Sequence, residues 1–141
     1  MTDVADTLPL TSQTCVACRR DAPRVTAEEM AALLPEIPDW ELQDHGGVPR
    51  LVRTFRVPTF RDAVALTNAL ADLAEAEGHH PALLTECAKV TVSWWTPKIR
   101  GLHRNDFIMA AKTEALVAGR FPTRTPPPPP PRAPHPPRRL L

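Results

Sequence analysis

Proline confines the part of this chain that can fold. The run Pro126 to Pro131, followed by Ala133-Pro134-His135-Pro136-Pro137, lacks backbone donors, so it can adopt polyproline II but neither helix nor sheet. Residues 121–141 are therefore expected to be a disordered, solvated tail, and residues 1–24 a polar leader. Residues 25–120 carry the hydrophobic periodicity of a single domain. The 141 residues leave no room for a second full domain.

Within that domain the periods alternate. Thr26 and Glu29 have the spacing of a capping box ahead of Met30, Leu33 and Leu34, and Pro35 and Pro38 end the helix. Trp40 to Gln43 and Arg50 to Val57 flank Asp44-His45-Gly46-Gly47, which predicts a β-hairpin. A long helix is predicted from Thr59, with Asp62 at its third position and Phe60, Val64, Leu70 and Leu73 as its apolar stripe. It stops at Gly78, a residue suited to the left-handed turn beyond a helix. Ala82 to Cys87 and Lys89 to Thr96 read as a second strand pair. Trp94 is expected in the core with Val90 and Val92, and Trp95 on the other side. Asn105 is expected to cap a last helix whose Phe107, Ile108, Ala111 and Leu116 face inward. The order α-β-β-α-β-β-α predicts an α+β fold, a four-stranded antiparallel sheet with three helices on one face.

Charge and cysteine content exclude several functions. The net charge of +1 includes five arginines beyond Glu114, so the folded part is acidic, which argues against direct nucleic-acid binding. No stretch is apolar enough to span a membrane, and residues 1–14 carry Asp3 and Asp6 in place of a basic secretory start; both favour a cytoplasmic address. Cys15 and Cys18 form a CxxC without the further ligands that zinc needs, and Cys87 stands alone, so no metal site is expected.

His79-His80-Pro81 is the most unusual local feature. Pro81 keeps His80 out of the helical region, and in extended backbone the two imidazoles diverge, which suits them to address two parts of a substrate better than to chelate one metal. Imidazole exchanges protons near neutral pH, so both histidines are candidate acid-base groups.

The segments Glu75-Ala76-Glu77-Gly78-His79-His80-Pro81, Lys89-Val90-Thr91-Val92-Ser93-Trp94-Trp95-Thr96 and Gly101-Leu102-His103-Arg104-Asn105-Asp106-Phe107 resemble those of bacterial pterin-4a-carbinolamine dehydratases, over about residues 15–116. The resemblance implies elimination of water from a 4a-hydroxytetrahydropterin, as in tetrahydrobiopterin recycling, without metal or redox cofactor. It implies His79 and His80 as catalytic residues and Glu75, Pro81, Thr96 and Asp106 as substrate-binding ones. It also implies a homo-oligomer, dimer or tetramer. An alternative within the same fold is a pterin-binding or protein-partner role like that of the dimerisation cofactors. Two positions depart from the family pattern: Cys87 replaces an aromatic residue, and Pro97 replaces a third histidine that the family uses in catalysis and substrate binding. His103 is read as a structural residue before the last helix.

Overall fold

A computed structural model describes residues 8–16, 20 and 22–121. The elements run α1 (Ala27–Leu33), β1 (Glu41–His45), β2 (Val48–Arg56), α2 (Phe60–Glu77), β3 (Ala82–Glu86), β4 (Lys89–Trp94) and α3 (Arg104–Arg120), with short 3-10 turns at Leu10–Ser12, Leu34–Glu36 and Pro97–Ile99. The strands pair antiparallel in the order β1-β2-β4-β3. This is the α+β sandwich that the sequence predicts. Of the tail predicted over residues 121–141 only Phe121 is described, and it packs half-buried against the core; residues 122–141 and Cys18 of the CxxC lie outside the described residues.

Local chemistry accounts for the turns. Gly46 and Gly47 both take positive φ, 63° and 85°, which the primed two-residue turn between His45 and Val48 requires, and Asp44 Oδ1 accepts the Gly47 N–H at 2.8 Å. Thr26 and Glu29 form the reciprocal capping box at α1. Thr59 caps α2, its side chain accepting the Asp62 N–H, and Gly78 ends the helix at φ 64°.

Leu51 and Phe55 of β2 and Val90, Val92 and Trp94 of β4 line the sheet face that meets the helices, together with Leu66, Leu70 and Phe107. Trp94 is fully buried, and its indole N–H donates to Thr113 at 3.2 Å. The inner face of α2 departs from the expected stripe. Ala63, Leu66, Leu70 and Ala74 are buried, whereas Phe60 and Val64 are 53% and 39% exposed. Ala63 and Ala74 take inward positions, and Val64, one position on from Ala63, turns to the outside.

Two further expectations are corrected at α3. The cap is His103, not Asn105: His103 Nδ1 accepts the Asn105 N–H at 3.0 Å, and Asp106 accepts the His103 N–H at 2.9 Å. Asn105 instead clasps Val16, with Oδ1 accepting its N–H at 3.1 Å and Nδ2 donating to its carbonyl at 2.7 Å. Residues 8–16, read from sequence as part of a polar leader, thus dock on α3. Leu10 joins the core, and Arg104 donates to Gln13 at 2.9 Å.

Candidate functional site

The stop at Gly78 sets the site. As α2 ends, the His79 N–H still reaches back to the Ala74 carbonyl at 3.2 Å, and the side chain turns inward. His79 is only 5% exposed; its ring stacks on Trp94 with centroids 5.5 Å apart, and its Nε2 lies 2.6 Å from Asp106 Oδ1. A carboxylate only accepts, so in this pair the imidazole Nε2 carries the proton. Asp106 itself is completely buried in the first turn of α3. Its other oxygen accepts from the Thr96 hydroxyl at 2.8 Å and from the His103 N–H at 2.9 Å. One buried carboxylate thus ties the α2–β3 connection, the end of β4 and the start of α3 together, with its lone pairs satisfied as burial demands.

His80 faces the other way. It is exposed, and its Nε2 meets Glu75 Oε1 at 3.0 Å, with side-chain exposures of 61% and 78%. Pro81 follows, half-buried, and leads into β3. The six residues singled out from sequence therefore fall into two units: His79, Asp106 and Thr96 inside, and His80 with Glu75 outside, joined through the His79–His80 peptide and followed by Pro81. The expected divergence of the two imidazoles is present. The side chains of Thr96 and Asp106, expected to meet substrate, are 1% and 0% exposed and are engaged with each other. Pro97 is exposed at the start of the 3-10 turn after Thr96.

Around this centre lie two further groups: His103, which is the structural residue before the last helix that the sequence predicts, and Glu77, to which sequence reasoning gave no partner. Burial pushes the His103 imidazole below its ordinary pKa, against the opposing charge of Asp106. Glu77 accepts from Lys112 at 2.5 Å and from the Cys15 N–H at 3.2 Å, and the bond to Lys112 holds its carboxyl below the usual value. The spacing His103-x-x-Asp106 is that of a capping box with histidine in place of serine or threonine, the signal that would have given His103 its specific role as the cap. A cavity of about 320 Å³ lies beyond His103, between residues 8–16 and α3, away from the two imidazoles. Among the described residues no group of three His, Cys, Asp or Glu could hold a metal, and no helix is long and apolar enough to cross a membrane.

The family profile of pterin 4 alpha carbinolamine dehydratase matches residues 23–116. The chain belongs to that family. It is 61% identical over 109 residues, covering 77% of this chain and 94% of the relative, to a protein of Gloeobacter violaceus named "Putative pterin-4-alpha-carbinolamine dehydratase 1". The crystal structure of a transcriptional coactivator/pterin dehydratase from Brucella melitensis is similar at TM-score 0.59 and 29% identity, over 67% of this chain and 98% of that one. A pterin dehydratase-like protein identified as a RuBisCO assembly factor in the alpha-carboxysome is more distant, at TM-score 0.47 and 24% identity over 55% and 88% of the two chains.

Proposed function

We propose that this protein is a 4a-hydroxytetrahydrobiopterin dehydratase, a hydro-lyase that removes water from the pterin-4a-carbinolamine to give the quinonoid dihydropterin. The observation that carries the reading is the exposed His80–Glu75 pair set directly beside the buried His79–Asp106 pair. The carbon–oxygen bond breaks as the departing hydroxyl takes up a proton, and the adjacent ring nitrogen loses one as the carbon–nitrogen double bond forms. Both transfers are within the range of an imidazole at neutral pH.

His80 is the member that solvent, and therefore a substrate, can reach. With Nε2 engaged by Glu75, its Nδ1 is the atom that gives or takes the proton, and Glu75 fixes the ring's orientation. His79 acts from behind, locked by Trp94 and Asp106 so that the chain leaves α2 in one conformation. No metal or redox cofactor enters these steps. A pterin substrate and a homo-oligomer, dimer or tetramer, belong to the same reading by way of the family, and a cytoplasmic address by way of the N-terminal charge pattern and hydropathy.

A second reading, a pterin-binding or protein-partner role without turnover, is favoured by one residue. Pro97 carries no imidazole where the family pattern has one, and the Brucella relative bears a coactivator title beside its dehydratase one. A stopped-flow assay with chemically generated carbinolamine, run beside the spontaneous dehydration, separates the two: acceleration supports the enzyme, and pterin binding without acceleration supports the partner role.

A further inference from the structure

Residues 8–16 are held to the body at points that converge on the buried pair. Leu10 is in the core, but Leu8 and Val16 are 44% and 61% exposed, so burial of apolar surface does not explain where the rest of the segment lies. Its polar contacts do. Gln13 accepts from Arg104 at 2.9 Å, and the Val16 N–H and carbonyl are both taken by the Asn105 side chain, at 3.1 and 2.7 Å. The Cys15 N–H donates to Glu77 at 3.2 Å. Arg104 and Asn105 are the two residues before Asp106, and Glu77 stands two residues before His79. Cys15 and Val16, neighbours in the chain, therefore bridge the two helix ends that carry the buried imidazole and its carboxylate.

The bridge matters most on the side of Asp106. On the α2 side Glu77 also bonds Lys112, so that end has a second tie to α3. Asp106 lies in the first turn of α3, where backbone N–H groups have no partner within the helix and the turn is prone to fray. Its carboxylate reaches His79 through one oxygen, and Thr96 and the His103 N–H through the other, so its aim follows the setting of that turn. Asn105 is 1% exposed; its own N–H donates to His103 Nδ1, and its amide is fixed by donating and accepting at once on a single residue, Val16.

We propose that Asn105 is a positioning residue of the dehydratase site. By clasping Val16 it fixes the first turn of α3, hence the aim of Asp106 on His79 and the direction in which the chain delivers His80. Asn105 itself touches no reacting atom, and residues 8–16 become part of the site through it. The kinetic consequence rests on the proposed dehydratase reading; the geometric one does not.

The test compares the full chain with three variants. Asn105→Ala removes both bonds to Val16, Val16→Ala keeps the peptide groups and trims an exposed side chain, and Val117→Ala truncates the core toward the far end of α3 as a control for lost stability. Exchange of the His79 Nε2 proton with solvent is measured by NMR, and dehydration by stopped flow. Asn105→Ala is expected to speed that exchange about tenfold, because the first turn opens more often. It should also lower kcat about tenfold with KM within about twofold, because a misplaced acid-base group harms the reacting geometry more than binding. Val16→Ala and Val117→Ala should stay near the parental values in both. If Asn105→Ala does not fold, Val16→Pro, which removes the N–H that Asn105 Oδ1 accepts, takes its place with the same expected direction. Unchanged exchange and kcat in the folded variant, or equally large changes in Val117→Ala, overturn the positioning role. A parent without dehydratase activity overturns the proposed function, and exchange of the His79 proton then decides the positioning role by itself.

Discussion

His79 Nε2 lies 2.6 Å from Oδ1 of Asp106, and both side chains are out of reach of bulk water. The histidine that follows is in solvent, paired to a carboxylate one helical turn back. Adjacent residues of the same type are thus divided between holding the site and exposing a group to substrate, and the division makes them separable by mutation.

His79→Ala removes the ring stacked on Trp94 and leaves Asp106 with a lone pair unsatisfied in the interior. It is expected to cost about 3 kcal/mol of stability in urea unfolding, against less than about 0.5 kcal/mol for His80→Ala. Equal costs would show that His79 is not a structural member of the site.

The His103 cap should make stability depend on pH. Its Nδ1 accepts a backbone N–H, and burial lowers its pKa below 6.5, while Asp106 and Glu29 oppose that shift and His79 adds to it. A histidine held neutral in the fold contributes stability that is complete above 6.5 and lost as pH falls through the lower folded value. His103→Asn keeps a capping oxygen without the titration. Urea midpoints measured at about pH 7 and pH 5 should fall less in this variant than in the parent.

Glu77 binds residues 8–16 and α3 together through Cys15 and Lys112. Its carboxyl is held below 4.5, chiefly by Lys112, so its contribution is complete above that value and disappears as pH falls through the folded one. Glu77→Gln is expected to cost about 1–2 kcal/mol at neutral pH, by denaturant titration, and the cost should shrink as the pH is taken below 4.5.

Pro97→His places an imidazole where the family pattern has one. An increase of about tenfold in dehydration rate, ~1.4 kcal/mol of transition-state stabilisation, is expected if the cleft accepts the ring. Pro97→Ala is the control, returning the backbone N–H without the imidazole. Equal gains from both variants would assign the deficit to the backbone at the head of the 3-10 turn.

Much of this arrangement was legible in the chain because short-range rules dictate it. Gly78 had to end α2, and strand alternation had to bury Trp94. The parts that were not legible are long-range. Nothing local distinguishes His79, which finds Asp106 across 27 residues of sequence, from His80, which finds Glu75 five residues back. The docking of Val16 on Asn105 spans 89 residues, and the side chain that does it was taken for a cap because asparagine so often is one. On α2 the error came from weighting large apolar residues over the alanines that take inward positions.

The central claim is that an exposed imidazole beside a buried, anchored one dehydrates a pterin carbinolamine. Stopped-flow dehydration by the parent chain and by His80→Ala, both shown folded by circular dichroism, tests it most directly. Acceleration over the spontaneous reaction by the parent, reduced about 10²–10⁴-fold by the substitution, is the predicted result. A folded His80→Ala that works at the parental rate, or a parent no faster than the spontaneous reaction, would contradict it.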